Sequence, residues 1–446
     1  MHIFLDIFRL DRGIPMERKI YKELLEWKND TNRKPLILQG ARQVGKTYIV
    51  NLFGGNEYAN TVYCNFEKDQ DLHEFFNDLT PSTILKKLSI YKRKEIIKGQ
   101  TLVIFDEIQA CPSAITSLKY FNEEAPEYHI IALGSLLGVS INRGNFSFPV
   151  GKVQFMTLYP MDFEEYLLAR NEKPLIDMIK DCYKNNKPLD NAFHKRALDY
   201  YKEYLFVGGL PEVVEEYGKN HNPELVRIIQ NSILDSYFND MGKYNKQTEI
   251  PKTRIVFKNI STQLSKENKK FQYSQIKKGA RASKYENAIE WLCLSGIASQ
   301  MFRIEQIKLP LDAYRSINDF KFFMNDVGLC GANLDILYED IFGDNPLLDN
   351  FKGGLVENYV YNQLMENGFI SYYWTSKSDA EVDFIIRLKE DIIPIEVKSS
   401  TNNRSKSLNV YVERYKPAYS IRISQKNFGF DNNIKSVPLY ATFCIK

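Results

Sequence analysis

A glycine-rich segment near the N-terminus has the residue types needed to hold phosphate groups. The segment GARQVGKT, Gly40 to Thr47, follows an apolar run at residues 35–38 and precedes the helix-like stretch YIVNLF. Gly40 and Gly45 permit backbone conformations in which successive N–H groups and a helix N-terminus point at phosphate oxygens. In this pattern Lys46 adds a positive charge and the Thr47 hydroxyl is a Mg²⁺ ligand. The predicted phosphate contacts are Gly40, Ala41, Arg42, Gln43, Val44, Gly45, Lys46 and Thr47.

Two carboxylates follow a second apolar run. Residues 101–105 read TLVIF and lead directly into Asp106 and Glu107. Next to a phosphate loop, the first carboxylate is expected to hold the Mg²⁺ shell, and the second is expected to polarise an attacking water. The presence of Glu107 therefore favours ATP hydrolysis over ATP binding alone. Glu107 and Lys46 are the predicted catalytic residues of this reaction. The alternative is an exposed acidic strand end with no ligand.

Three further polar residues are weaker candidates for phosphate contacts. Ser135 ends the apolar stretch YHIIALGS, where its hydroxyl would sense the γ-phosphate of ATP, although Gly-Ser is also a common turn. Arg143 and Lys152 follow in the loop INRGNFSFPVGKV, and either would supply charge to a phosphate of its own subunit or of a neighbouring one.

The segment 251–308 is locally basic, with 12 Lys or Arg against 4 Glu. Its pattern of helix, turn, two helices and a strand suggests a winged helix. Six of its basic residues are candidate DNA-phosphate contacts, because each neutralised phosphate adds salt-dependent affinity: Lys269, Lys270, Lys277, Lys278, Arg281 and Lys284. The alternative is a solvated helical hairpin that packs between domains.

Charged residues recur at the C-terminal end of the chain. The stretches AEVDFIIRL and IIPIEVKSS predict two strands of a hairpin, and their alternation puts Glu396 and Lys398 on one face. Asp383 with Glu396 and Lys398 resembles the signature of PD-(D/E)xK nucleases, and Glu357 matches the helix glutamate often added to it. This resemblance implies Mg²⁺ at Asp383 and Glu396, with Lys398 orienting water. The alternative is a plain ion pair or a nuclease fold kept for binding alone.

A wider family resemblance joins these motifs. GARQVGKT, VYCNFE, LVIFDEIQ, ALGSLLG, LYPMDFEEYL and YLFVGGLPEVV resemble the AAA-type P-loop ATPases of bacteria and archaea that carry a C-terminal domain similar to restriction endonucleases. The resemblance runs from about Met16 to the C-terminus. It implies Lys46 and Thr47 as the phosphate and Mg²⁺ groups, Asp106 and Glu107 as the acidic pair, and Ser135 as the sensor. The chain departs from it at Gly151-Lys152, where such proteins usually have Gly-Arg, and lysine lacks the guanidinium fork.

Length and composition set the wider organisation. The 446 residues are 44% hydrophobic and 26% charged, with a net charge of +3, which excludes a mainly disordered chain and a generally basic nucleic-acid binder. The fold class expected is α/β: a parallel P-loop NTPase sheet, a helical and winged-helix middle, and a PD-(D/E)xK-like α/β domain. The expected domains are 1–165 (ATPase), 166–250 (helical lid or linker), 251–315 (winged-helix-like) and 316–446 (endonuclease-like).

Cysteine spacing and the N-terminus bear on location. The six cysteines are far apart without CxxC, as expected for reduced thiols, and charged residues interrupt the apolar N-terminus. A cytoplasmic protein without a membrane segment is therefore expected. Assembly into a homo-oligomer is compatible with the sequence.

Three functions compete on this sequence. The first is an ATP-hydrolysing protein that acts with nucleic acid and has a nuclease-like tail that binds or cleaves DNA. The second is a nucleotide-dependent signalling switch with a non-catalytic tail. The third, a small-substrate kinase, is disfavoured because Glu107 beside Asp106 suits water activation.

Overall fold

The computed structural model describes residues 16–139, 148–243, 245–343, 345–376, 380–399 and 406–446. These residues divide into two compact units. The first unit is Glu17–Tyr159 with Leu294–Ile297, and the second unit consists mainly of Pro160–Cys293 and Ala298–Lys446. The three predicted domains 166–250, 251–315 and 316–446 lie almost entirely in the second unit.

A five-stranded parallel sheet forms the centre of the first unit. Its strands are β1 (Leu36–Gln39), β2 (Asn60–Asn65), β3 (Thr101–Asp106), β4 (His129–Gly134) and β5 (Gln154–Thr157), in the order β2-β3-β4-β1-β5. Every residue of β3 and β4 is buried, as expected for strands of a parallel sheet that is covered on both faces. Because the strands are parallel, the carboxyl ends of β1, β3 and β4 meet at one edge of the sheet.

Helices and aromatic side chains hold this sheet in place. The helices are α1 (Ile20–Asn29), α2 (Lys46–Glu57), α3 (Pro81–Lys92) and α4 (Pro112–Glu124), with 3₁₀ turns at Gln70–Phe76 and Ile108–Ala110. Phe105, the penultimate residue of β3, packs edge-to-face against Phe66 and Phe76 at centroid distances of 5.6 and 5.4 Å. These rings fix the strand end that carries Asp106.

The second unit begins with helices, as the spacing of apolar residues between 161 and 245 predicts. They are α5 (Phe163–Ala169), α6 (Lys173–Asn185), α7 (Asn191–Val207), α8 (Pro211–Asn220) and α9 (Pro223–Lys243). The predicted break after α7 is present: Gly208 has φ +77°, and a Cβ there would lie 2.4 Å from an Asp326 carboxylate oxygen. Across the described ranges, no helix has both the length and the apolar surface required to cross a bilayer.

The basic segment forms helices followed by a strand pair. It contains α10 (Ile250–Leu264), α11 (Tyr273–Ile276) and α12 (Glu286–Leu294), and then β6 (Ala298–Ile304) and β7 (Arg315–Met324). The element order follows the expectation, but α11 is only a single turn, so the middle helix is much shorter than expected.

The C-terminal residues contribute most of an eight-stranded mixed sheet. The remaining elements are α13 (Val327–Ala332), α14 (Tyr338–Phe342), α15 (Asp349–Glu366), β8 (Tyr372–Thr375), β9 (Glu381–Leu388), β10 (Asp391–Val397), α16 (Lys406–Tyr415), β11 (Ser420–Ser424), β12 (Gly429–Asp431) and β13 (Ile434–Pro438). The order is β12-β13-β11-β10-β9-β8-β6-β7. β10 pairs antiparallel with β9 and parallel with β11, so it is a central strand.

The boundary expected after residue 315 falls inside this sheet. β6 pairs antiparallel with β7, and Arg303 and Ile304 of β6 also pair with β8 in parallel. An isolated hairpin leaves a row of unpaired N–H and C=O groups at each edge, and pairing with β8 satisfies one such row. The segments 251–315 and 316–446 therefore share one sheet and are not separated at residue 315.

Candidate nucleotide site and C-terminal charged cluster

The phosphate loop lies between β1 and α2. Its backbone enters the left-handed region at Gln43 (φ +65°) and Gly45 (φ +94°). Gly40 has φ +150°, and a Cβ there would lie 2.2 Å from the Leu158 carbonyl oxygen. The backbone therefore requires glycine at position 40. Ala41 and Val44 are buried, so their contribution to a ligand is through the main chain.

Lys46 is the first residue of α2, and its ammonium group folds back over the loop. Its Nζ donates to the carbonyl oxygens of Gly40 at 2.8 Å and Ala41 at 2.6 Å. Burial lowers the pKa of Lys46 to about 8, although the charges of Glu107 and Asp106 oppose this shift. The positive charge that the sequence analysis assigned to phosphate binding is therefore held inside the loop.

The structure brings Thr47 and Asp106 together. The Thr47 hydroxyl donates to Asp106 Oδ2 at 3.1 Å, across the gap between α2 and the end of β3. Asp106 is 5% exposed. Glu107 follows in a left-handed conformation with φ +50°, and its N–H donates to Asp106 Oδ1 at 2.9 Å.

Two residues that the sequence analysis did not select orient Asp106 from the neighbouring strand. The Tyr63 hydroxyl donates to Asp106 Oδ2 at 2.5 Å, and the Asn65 side-chain amide donates to the Tyr63 oxygen at 3.3 Å. Burial and the hydrogen bond to Asp106 raise the pKa of Tyr63 above its usual value. The alternation of polar Tyr63 and Asn65 with the apolar, buried Val62 and Cys64 in VYCNFE is the sequence pattern that could have identified them.

Gln109 and Arg18 are also functional candidates that sequence reasoning missed. The Gln109 side-chain amide nitrogen donates to Glu107 Oε2, while its Oε1 atom is buried without a partner among the described residues. Arg18, 8% exposed, donates to the carbonyl oxygens of Val44 at 2.9 Å and Tyr159 at 2.7 Å, and so braces the phosphate loop. A lone arginine before α1 carries no sequence signal for this role.

Ser135 lies at the carboxyl end of β4, and its expected role at the γ-phosphate stays a prediction. It directly follows Gly134, which pairs with Gln39 of β1, so Ser135 stands beside the start of the phosphate loop. Its hydroxyl is buried and has no hydrogen-bond partner within the ranges that the structure describes. Lys152 instead forms an ion pair with Glu123 at 2.9 Å, and Arg143 lies outside the described residues.

In the second unit, Glu357 of α15 is buried between two lysines. Glu357 Oε1 accepts from Lys269 Nζ, and Glu357 Oε2 accepts from Lys321 Nζ at 3.0 Å. Lys321 Nζ also lies 2.5 Å from Glu381 Oε1. Burial alone would raise the pKa of Glu357, but the two lysines outweigh it and lower the pKa. Lys321, on β7, was not selected by sequence reasoning.

The other three predicted nuclease residues lie on β9, on β10 and just after β10. Asp383 Oδ2 accepts the Val397 N–H at 2.7 Å, and Lys398 pairs with Glu396 at 2.8 Å. Burial and the nearby Glu357 charge raise the pKa of Asp383. Glu396 is 3% exposed, so the alternation of β10 does not leave it on a solvent face. We call the lysines and carboxylates of this region the charged cluster: Lys269, Lys321, Glu357, Glu381, Asp383, Glu396 and Lys398.

The six candidate DNA-binding cations fall into two groups. Lys269 pairs with Glu357 and Lys270 pairs with Asp319, so both are used inside the second unit. The other four lie between α11 and α12, are exposed, and form no ion pair with any described residue: Lys277, Lys278, Arg281 and Lys284. We call these four residues the basic loop.

Family models match three parts of the chain. Residues 32–167 match an AAA domain, residues 198–340 match a domain of unknown function (DUF8612), and residues 352–442 match another (DUF4143). Comparison with curated proteins gives no match.

Several solved structures are similar in part. A Walker-type ATPase of Pyrococcus abyssi is 14% identical with a TM-score of 0.45, over 72% of this chain and 96% of that chain. The ORC2 protein of Aeropyrum pernix, in ADPNP and ADP complexes, is 12% identical with a TM-score of 0.33, over 66% and 90%. The RuvB Holliday junction branch migration motor of Thermotoga maritima is 13% identical with a TM-score of 0.30, over 64% and 90%.

The AAA match covers the phosphate loop, the adjacent carboxylates Asp106 and Glu107 at the end of β3, and Ser135. Residues 32–167 of this chain thus match an AAA domain, and the five-stranded parallel sheet lies within them.

Proposed function

We propose that the first unit binds ATP with Mg²⁺ and hydrolyses the ATP. The observation that carries this proposal is the 3.1 Å hydrogen bond between Thr47 and Asp106 at the open end of the phosphate loop. A hydroxyl from the start of a helix and a carboxylate from a neighbouring strand end are the protein oxygens that suit Mg²⁺ in a nucleotide site.

The surrounding residues fit a triphosphate. Gly40 has no room for a side chain, and the main-chain N–H groups of the loop and of the N-terminus of α2 would donate to phosphate oxygens. Lys46 would exchange its two carbonyl partners for β- and γ-phosphate oxygens, a charge-assisted and therefore stronger contact. The unpartnered Ser135 hydroxyl would donate to the γ-phosphate.

Hydrolysis requires an activated water, and Glu107 is the group proposed for this step. When bound, Mg²⁺ supplies charge stabilisation on the phosphates. Glu107 accepts a proton from the water while the water oxygen attacks the γ-phosphorus. The bond from the γ-phosphorus to the bridging oxygen breaks, and ADP departs with that oxygen. Gln109, which donates to Glu107, orients the carboxylate for this transfer.

We propose further that the protein acts with nucleic acid, through the basic loop. Its four exposed cations match the repeating negative charge of a phosphate backbone. A homo-oligomer, a cytoplasmic location and DNA cleavage by Asp383, Glu396 and Lys398 stay predictions from the sequence.

A second candidate function is a nucleotide-dependent switch whose C-terminal part makes contacts without cleaving. The burial of Glu357 between Lys269 and Lys321 favours this candidate, because it commits a nuclease-type carboxylate to internal ion pairs. Stimulation of ATP turnover by DNA would favour the nucleic-acid function over the switch.

The nucleotide proposal is tested by comparing Lys46→Ala with Lys86→Ala, a matched change at an exposed lysine on α3. Lys46→Ala should reduce ATP turnover by about a hundredfold or more, because the protein loses the positive charge that would contact the transferred phosphate. Lys86→Ala should keep the wild-type rate. Equal turnover in wild type and Lys46→Ala would refute the site.

A further inference from the structure

The charged cluster has the carboxylates expected of a metal-dependent nuclease, but a lysine lies among them. Lys321 enters from β7, the edge strand of the sheet, and is 1% exposed. Its Nζ contacts Glu357 Oε2 at 3.0 Å and Glu381 Oε1 at 2.5 Å, and it lies 5.2 Å from the centre of the Tyr373 ring. Two carboxylates and an aromatic face therefore surround this ammonium group.

Several of the carboxylate oxygens that a metal would need already have partners: both oxygens of Glu357 and one oxygen each of Asp383 and Glu396. Both oxygens of Glu357 accept from lysines, one from Lys269 and one from Lys321. Asp383 Oδ2 accepts the Val397 N–H, and Glu396 Oε1 pairs with Lys398. A divalent cation at Glu357 would have to displace Lys321, which would leave a buried ammonium without its partners.

The charge balance points the same way. Three lysines, Lys269, Lys321 and Lys398, stand against the four carboxylates of the cluster. Across the part of the chain that the structure describes, no group of three or more His, Cys, Asp or Glu side chains is arranged to hold a metal ion. The residues present do not fit the divalent cation that the nuclease resemblance implies.

We propose that the Lys321 ammonium takes the place of a divalent cation in the charged cluster. The second unit then binds neither Mg²⁺ nor Mn²⁺ at Asp383 and Glu396, and it does not cleave nucleic acid by metal-assisted hydrolysis. Lys321 holds α15, β7 and β9 together by neutralising carboxylates from the helix and from β9.

One carboxylate oxygen of the charged cluster offers the strictest test of the proposal. Glu396 Oε2 is buried and has no hydrogen-bond partner among the described residues, so it is the carboxylate oxygen most available to a metal. Glu396→Gln and Asp383→Asn are therefore the informative variants. Asparagine at position 383 keeps an oxygen that can accept the Val397 N–H, so the fold is preserved.

The first experiment measures Mn²⁺ binding to the full chain without nucleotide, by the decrease of the free-ion electron paramagnetic resonance signal, together with DNA cleavage in Mn²⁺. Wild type, Asp383→Asn and Glu396→Gln should bind the same amount of Mn²⁺, and wild type should leave DNA intact. A Mn²⁺ ion bound by wild type and absent from either variant would overturn the proposal. Cleavage by wild type that either variant abolishes would also overturn it.

The second experiment removes the lysine and compares Lys321→Ala with Lys308→Ala, an exposed lysine of the same unit. Mn²⁺ should raise the thermal midpoint of Lys321→Ala by several degrees and leave wild type and Lys308→Ala unchanged, because only the first variant leaves Glu357 Oε2 and Glu381 without their lysine partner. An equal rise in wild type would contradict the proposal. If Lys321→Ala does not fold, the Mn²⁺ comparison on the carboxylate variants decides the question.

Discussion

At the scale of single residues, the phosphate loop depends on a glycine that has no room for a side chain. A Cβ at Gly40 would meet the Leu158 carbonyl oxygen at 2.2 Å, whereas a Cβ at Gly55, on α2, would meet nothing within 4 Å. Gly40→Ala should therefore displace the loop and weaken ATP binding by about tenfold or more, the cost expected of a strained backbone. Titration with a fluorescent ATP analogue measures this weakening.

Gly55→Ala is the control for that substitution. Alanine in a helix interior is favoured over glycine by up to about 1 kcal/mol, so this variant should bind ATP normally and unfold at the same or a higher temperature. Identical ATP affinities for Gly40→Ala and Gly55→Ala would contradict the geometry of the loop.

The Lys46 charge predicts a pH dependence of nucleotide binding. Its pKa in the nucleotide-free protein is lowered to about 8 by burial, and a bound phosphate would raise it. Above pH 8 binding must therefore take up a proton, so ATP affinity should fall by up to about tenfold per pH unit, whereas below pH 8 it should be nearly constant. Calorimetric titrations below and above pH 8 test this. A wild-type affinity that falls no more steeply than that of Lys46→Ala would contradict it.

Sequence reasoning could select Lys46, Thr47, Asp106 and Glu107 as candidates because they lie in short contiguous motifs. It did not find Lys321. This residue becomes part of a site only through contacts between strands and helices far apart in the chain, and a lysine in a strand carries no periodic or motif signal.

At the scale of elements, the sequence predicted where strands occur better than which strands pair with each other. The apolar runs at β1, β3 and β4 were recognisable because strands buried on both faces are continuously hydrophobic. The pairing of β6 with β8 was not recognisable, since it joins segments separated by the whole of α13 to α15 and depends on which sheet edge is open.

The loop between α11 and α12 leads to a prediction about DNA. The double variant Lys277→Gln/Lys278→Gln should weaken DNA binding, and it should reduce the slope of log K against log salt by about 0.9 for each phosphate that is no longer neutralised. The matched control is Lys184→Gln/Lys187→Gln, which changes two exposed lysines, one in the last turn of α6 and one just after that helix. Fluorescence anisotropy over a range of salt concentrations measures both quantities. Equal slopes for the two double variants would show that the basic loop does not bind DNA.

At the scale of the whole molecule, the two candidate sites belong to different compact units and have opposite characters. In the first unit, Asp106 accepts hydrogen bonds from the neutral hydroxyls of Thr47 and Tyr63, and the buried Ser135 hydroxyl has no partner among the described residues. In the second unit, lysines already neutralise the carboxylates. We therefore expect a molecule that hydrolyses ATP in one unit and offers a stable, metal-free surface in the other.

The central claim is that Glu107 activates water for ATP hydrolysis, and single-turnover kinetics with Glu107→Gln test it most directly. Glutamine keeps the size of the side chain but cannot accept the proton, so the variant should bind ATP as wild type does and hydrolyse it about 10² to 10⁴ times more slowly. Glu124→Gln, an exposed change on α4, should keep the wild-type rate. Hydrolysis by Glu107→Gln at the wild-type rate would contradict the account.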